Sequence, residues 1–154
     1  MKKNNICRFI TSLAGIGQLP ASGTWGSLVA LPFAWVTVGT PYLFLFILVS
    51  FFVGAATIGP LIKNQSQKDP SYVIIDEFMG QLVVFSLFSK EHFTPILLIF
   101  GFLFFRLFDI LKPWPASFFD RKVHNGWGVM LDDFVAGLYG ILALDFLKLI
   151  SYYL

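Results

Sequence analysis

The chain has 154 residues, of which 56% are hydrophobic and only 13% are charged. A soluble domain usually carries about 25% charged residues, so this composition argues against a soluble protein and indicates one membrane domain over residues 1–154. The net charge of +2 comes without a basic run interleaved with aromatic residues, which excludes a nucleic-acid partner. The single cysteine, Cys7, excludes an internal disulfide and a cysteine-based metal cluster.

Apolar segments separated by short polar stretches predict an all-α fold, a compact helical membrane bundle of about four to five apolar helices. Some of these helices are expected to be short or interfacial. Residues 1–24 form a loop or short helix that leads into the bundle, and 42–62 are the clearest transmembrane helix because about 20 uncharged residues span a hydrocarbon core. The predicted crossings are 25–40 (interrupted by Pro32), 42–62, 73–89, 94–111 and 134–150.

The connecting segments also have predictable roles. Residues 63–72 form a polar loop, and 112–115, Lys-Pro-Trp-Pro, stop the helix before them. Residues 116–131 form an amphipathic, glycine-containing segment near the surface, directly before the last apolar helix.

The distribution of basic residues predicts the orientation in the membrane. Lys and Arg accumulate in cytoplasmic loops. With the N-terminus inside, Lys90 and Lys148 fall outside, and the other nine of the eleven basic residues fall on the cytoplasmic side: Lys2, Lys3, Arg8, Lys63, Lys68, Arg106, Lys112, Arg121 and Lys122. The same orientation puts the acidic groups that could do chemistry on the cytoplasmic face.

Five acidic residues fall in three groups at the ends of apolar segments: Asp76 with Glu77, Asp109, and Asp132 with Asp133. Carboxylates that converge at the membrane edge repel one another unless a cation neutralises them. Because carboxylate oxygens suit hard divalent ions, Mg²⁺ is the first choice of metal. The alternatives are structural. Asp76 and Glu77 can stabilise the N-terminus of a helix through its dipole, and the Asp doublet can provide the N-cap of the last helix, which it directly precedes.

The spacing of Arg106, Asp109 and Lys112 places neighbouring pairs on one face of a helix. In the functional interpretation, the two basic residues hold phosphate and Asp109 binds the metal, because a guanidinium fork matches phosphate geometry. The alternative is a structural ladder of ion pairs at the helix end.

Two further motifs carry weaker signals. Residues 23–27, Gly-Thr-Trp-Gly-Ser, open an apolar helix, where backbone N–H groups with Thr24 and Ser27 can cradle an anion, or where either hydroxyl serves as a plain N-cap. His124 is a candidate general acid near neutral pH, or a surface loop histidine.

Several phosphatase chemistries leave no trace in the sequence. The cysteine-phosphatase loop, the DxDxT nucleophile and a paired-histidine signature are all missing. A metal-activated water therefore remains as the nucleophile. Two functions other than metal-dependent phosphate hydrolysis stay open at this stage. One is a small transporter or ion pathway that uses intramembrane carboxylates, and the other is a non-catalytic scaffold.

Four blocks of the sequence resemble the phosphatidylglycerophosphatase A family. They are PASGTWGSL (20–28), IDEFMG (75–80), FRLFDILKPWP (105–115) and FDRKVHNGWGVMLDDFVAG (119–137). The chain departs from the family pattern at Ser22, where Pro is frequent, and at Asn125, where Gly is common; both are loop positions.

The resemblance implies a helical, Mg²⁺-dependent phosphatase of the bacterial inner membrane that converts phosphatidylglycerophosphate to phosphatidylglycerol and phosphate. On this hypothesis the metal ligands are Asp76, Glu77, Asp109, Asp132 and Asp133, with the order inside each doublet open. Arg106, Lys112 and Arg121, with Thr24 and Ser27, hold the phosphate, and His124 protonates the leaving oxygen.

Overall fold

A computed structural model describes residues 2–63 and 70–153, with side chains described for 4–63 and 70–150. In these ranges the chain is all-α and contains no strand, as the sequence predicts. The helices are α1 (Lys2–Thr11), α2 (Ser22–Thr37), α3 (Pro41–Ile62), α4 (Ile75–Val84), α5 (Pro95–Leu111), α6 (Ala116–Lys122) and α7 (Gly126–Tyr153), with short 3-10 turns at Ile16–Gln18 and Lys90–His92. Lys68 and most of the loop predicted for 63–72 lie outside the described residues.

Pro32 does not interrupt its helix, contrary to the expectation for 25–40. It lies inside α2, which runs from Ser22 to Thr37. Pro32 has no N–H to donate to the Leu28 carbonyl, and both residues are exposed. The cost of a proline inside a helix is therefore borne at the surface and not in the core.

The last helix begins earlier than predicted, at Gly126. The expectation that Asp132 and Asp133 directly precede a helix is therefore wrong, and so is their role as its N-cap, because both lie inside α7. Asn125 has that role instead: its Oδ1 accepts a hydrogen bond of 3.0 Å from the Gly128 N–H. The glycines permit close packing here, since a Cβ on Gly126 would lie 3.0 Å from the backbone N of Gly59.

The core is organised around α4, in which every residue except Glu77 is buried. Helices α2, α3, α5 and α7 all pack against it. Two glycines bring α4 and α7 together, because a Cβ on Gly137 would lie 2.6 Å from the carbonyl oxygen of Gly80. With 10 residues, α4 is about 15 Å long, too short to cross a bilayer by itself.

Within the described residues, Pro41–Ile62 is the one helix long and apolar enough to cross a membrane. The outward faces of α3, α5 and α7 are also rich in large apolar side chains. Those at least half exposed are Tyr42, Phe44, Leu45, Leu48, Val49 and Phe52 on α3, Ile96, Ile99, Leu103, Ile110 and Leu111 on α5, and Leu142, Phe146 and Leu149 on α7.

Lys112 links three helices. It terminates α5 in the left-handed conformation, with φ 44°. Its Nζ donates to Asp132 Oδ2 on α7 at 2.6 Å and to Asp120 Oδ1 on α6 at 3.4 Å. Burial of Lys112 lowers its pKa, but the carboxylate of Asp132, with those of Asp133 and Asp120, raises it by more. The net result is a pKa above the usual value of lysine.

Substitution of Gly137 by Ala should destabilise the protein by about 1–3 kcal/mol, because the added methyl group meets the Gly80 carbonyl and Val83. Gly59→Ala is the matched control: a Cβ at Gly59 meets nothing within 4 Å, so its thermal midpoint should stay level or rise. Thermal unfolding of both variants in one detergent measures the difference. Equal midpoints would contradict the close approach of α4 and α7.

Replacement of Lys112 by Met should lower stability by about 1–3 kcal/mol, since it leaves the buried Asp132 carboxylate without its cation. Asp132→Asn in the same background should recover part of that loss, because the amide carries no charge. Chemical unfolding of the two single variants and the double variant tests this. Strictly additive losses would show that the two residues do not interact.

Candidate metal and phosphate site

Three carboxylates converge where α4 and α7 meet. Asp76 and Glu77 lie in the first turn of α4, and Asp133 lies on α7. One oxygen from each of the three lies within 4.8 Å of the others. The glycine at position 80 makes this possible, because a Cβ there would lie 2.7 Å from the Asp133 carbonyl oxygen. The sequence predicts that these residues share one face, and the structure brings them together.

The convergence is electrostatically costly. Asp76 and Asp133 are each 3% exposed. Burial raises the pKa of Asp133 well above its usual value, and the negative charges of Asp109 and Asp76 raise it further. The Asp76 carboxyl is equally buried and forms a hydrogen bond with the Glu77 side chain. Without a neutralising partner, these groups resist being charged together.

The same carboxylates have unused acceptor capacity. Asp76 Oδ1 and Asp133 Oδ2 are buried and accept no hydrogen bond from the described part of the chain. Buried charged oxygens without donors are expensive unless a cation binds them. A donor set made only of carboxylate oxygens suits a hard divalent cation, so the cluster of Asp76, Glu77 and Asp133 fits a metal ion.

A basic group stands next to this cluster. Arg106 on α5 donates from Nη1 to Asp109 Oδ2 at 2.6 Å, the i, i+3 contact that the spacing predicts. The first turn of α2 packs directly onto this region: a Cβ on Gly23 would lie 3.0 Å from Arg106 Nη1 and would also contact Glu77 Oε1. The Gly-Thr-Trp-Gly-Ser motif therefore borders the acidic cluster, and Gly23 is the residue that lets it approach.

The remaining predicted ligands lie beside the cluster in ion pairs. Asp109 is held by Arg106 at 2.6 Å, and Asp132 is held by Lys112 at 2.6 Å. Lys112 pairs with Asp132 and not with Asp109, the partner that the helical spacing predicts. The reason is that α5 ends at Leu111, and the left-handed backbone of Lys112 turns its side chain away from Asp109. Asp132 also orients the backbone: its Oδ1 accepts from the Asp133 N–H at 3.1 Å.

The predicted hydroxyl, basic and imidazole groups occupy different environments. Ser27 is fully buried, and its hydroxyl donates to the Gly23 carbonyl at 3.1 Å. Thr24 is half-buried in the first turn of α2, with its N–H bonded to the Ala21 carbonyl at 2.9 Å. Arg121 and His124 are exposed, in α6 and in the turn before α7.

One polar residue near the site was missed from the sequence. Gln81 lies one helical turn after Glu77 on α4 and is fully buried, yet neither its Oε1 nor its Nε2 has a hydrogen-bond partner among the described residues. A buried amide in this state is costly and marks a position worth testing. The available signal was an amide inside the otherwise apolar run 78–85.

Comparison with known proteins identifies a family for the chain. The family model described as PgpA: Phosphatidylglycerophosphatase A matches residues 9–148. A Haemophilus influenzae protein named phosphatidylglycerophosphatase A is 32% identical over 126 residues, which cover 80% of this chain and 76% of the relative. An Escherichia coli protein of the same name is 31% identical over 141 residues, covering 90% and 81%.

A third relative has a different name. A Bacteroides thetaiotaomicron protein that carries the provisional name phosphatidylinositol-3-phosphatase is 34% identical over 135 residues, covering 82% of this chain and 77% of the relative. No solved structure matches the chain significantly. The family model spans nearly the whole chain, and the chain belongs to the phosphatidylglycerophosphatase A family.

Proposed function

We propose that this protein hydrolyses the phosphomonoester of phosphatidylglycerophosphate, giving phosphatidylglycerol and inorganic phosphate, and that residues 1–154 act as one phosphatidylglycerophosphatase A domain. The observation that carries the proposal is the convergence of Asp76, Glu77 and Asp133 within 4.8 Å, in a chain of this family. The transporter alternative is not favoured, since the two relatives named above as phosphatidylglycerophosphatase A carry an enzyme's name.

The cofactor in this proposal is Mg²⁺. Asp76, Glu77 and Asp133 would hold it, with Asp109 and Asp132 close enough to contribute to the field around it. The chemistry that such an ion would supply there is polarisation of the phosphoryl group and activation of a water molecule as the nucleophile. The carboxylates fix the position of the ion, and their burial keeps the surroundings of the reacting phosphate poor in bulk water.

Arg106 is the main phosphate-binding residue in this proposal. Its guanidinium is held by Asp109 at 2.6 Å and lies beside Gly23, at the border between the acidic cluster and the first turn of α2. A guanidinium fixed in this way stabilises the charge that builds on the phosphoryl oxygens, at little cost in side-chain entropy. Backbone N–H groups around Thr24, at the N-terminus of α2, add to the positive potential.

The leaving group requires a proton on the glycerol oxygen when its bond to phosphorus breaks. His124 is the proposed donor, because an imidazole is a common general acid and this one is exposed, in the turn before α7. Arg121, also exposed, and Lys112, which stays paired with Asp132, provide further positive charge near the lipid phosphate.

We further propose that the protein lies in the bacterial inner membrane as a multi-pass helical bundle whose site faces the cytoplasm. The support is the apolar exposed surface of α3, α5 and α7 and the excess of Lys and Arg on one side. The acyl chains would then lie against the exposed helices while the head group reaches the carboxylates from the leaflet. The lipids in the relatives' names all have a head group that carries a phosphomonoester and that a phosphodiester joins to the diacylglycerol.

Asp76→Asn and Asp133→Asn should each reduce phosphate release by at least about 100-fold, because each removes a charged oxygen ligand at the reacting centre. Asp145→Asn is the matched control: Asp145 lies on the same helix as Asp133 but is exposed, so this variant should keep near-normal activity. The assay is release of phosphate from phosphatidylglycerophosphate in detergent micelles. Near-normal activity of both cluster variants would discard the proposed site.

Removal of divalent metal should abolish phosphate release. Purified protein treated with excess EDTA should lose activity, and added Mg²⁺ should restore it, because the buried carboxylates need a cation to hold the phosphate. Circular dichroism before and after treatment tests whether the helices remain folded. Release that persists in EDTA would overturn the metal mechanism and direct attention to His124.

A further inference from the structure

A second polar cavity lies beside the proposed site. It has a volume of about 380 Å³ and is lined by Arg8, Tyr72, Ser71 and the loop 17–22. Arg8 is the one charged residue among the described residues that line it. Its guanidinium carbon lies 4.5 Å from the centroid of the Tyr72 ring, and this cation–π contact holds the cation in place without using its N–H donors.

The first turn of α2 contacts both the cavity and the acidic cluster. Ala21 and Ser22 line the cavity. The next residue, Gly23, packs on Glu77 and Arg106. The two sides of this turn therefore present two separate guanidinium groups, Arg106 at the acidic cluster and Arg8 in the cavity. A ligand with two anionic groups would need a cation on each side of the turn, and this arrangement offers one on each side.

We propose that this cavity binds the phosphodiester of the lipid substrate, and that Arg8 is a specificity-determining residue for it. The inference rests on the proposed function. The head-group glycerol of phosphatidylglycerophosphate carries the phosphomonoester at one end and the phosphodiester at the other, across three carbons. With the monoester at the carboxylate cluster and Arg106, the diester lies within reach of the neighbouring cavity, where a guanidinium suits its oxygens.

The surroundings of Arg8 fit a lipid whose acyl chains lie against α1. Ile6 and Phe9, which flank Arg8 on α1, are 60% and 62% exposed. A short helix with exposed apolar side chains next to basic ones lies readily at a membrane interface. The acyl chains that leave the diester would pass over these side chains into the leaflet, and the glycerol phosphate would point inward to Glu77 and Asp133.

Arg8→Met tests the proposal, because it keeps the apolar stem and removes the guanidinium. We expect the KM for phosphatidylglycerophosphate to rise about tenfold with little change in kcat. Inhibition by the product phosphatidylglycerol, which keeps the diester alone, should weaken by a similar factor. Inhibition by inorganic phosphate, which occupies the monoester position alone, should not change. Arg8→Lys should recover part of the affinity for both lipids.

Lys63→Met is the control, since Lys63 is an exposed cation at the end of α3 that does not line the cavity. Its kinetic constants should remain those of the unchanged protein. An equal effect of Lys63→Met, or an equal shift in inhibition by inorganic phosphate, would show a general charge effect and overturn the proposal. Unchanged lipid constants in Arg8→Met would overturn it as well. Absence of phosphate release from the unchanged protein would instead refute the proposed function itself.

Discussion

Repulsion among buried carboxylates is the constraint around which this molecule is organised. Asp76, Glu77 and Asp133 bring oxygens within 4.8 Å of one another, and two of the three are almost completely buried. Such an arrangement opposes folding unless positive charge compensates it. Two further acidic side chains are already compensated, Asp109 by Arg106 and Asp132 by Lys112. Asp76 Oδ1 and Asp133 Oδ2 accept no hydrogen bond from the described residues, so a cation bound beside them would offset the repulsion and stabilise the fold.

Glycine is the residue that makes this crowding sterically possible. Gly80 and Gly137 let α4 and α7 approach backbone to backbone, and Gly23 lets α2 reach Glu77 and Arg106. The carboxylates are thus positioned by helix axes and not by flexible loops. Sites built on packed helices hold their geometry more closely than sites on loops, which suits a reaction that depends on the placement of an ion and a phosphate.

The helical class and the gathering of acidic groups at helix ends could be predicted, because apolar runs and isolated charges are visible directly in the sequence. The start of α7 could not, since Gly126 and Gly128 look like a break until their contacts with other parts of the chain are known. The partner of Lys112 was missed for a similar reason: its left-handed backbone redirects the side chain to Asp132, and helical spacing no longer applies. Tertiary contacts decided both cases.

The enclosure of α4 has a kinetic consequence. This short helix carries Asp76 and Glu77 and is covered by α2, α3, α5 and α7, so its backbone amides meet solvent only when the surrounding helices separate. Local opening free energies in proteins rise toward the global value in such enclosed elements. We therefore expect the backbone amides of α4, the helix that supplies two of the three clustered carboxylates, to exchange with solvent more slowly than those of the described helices around it.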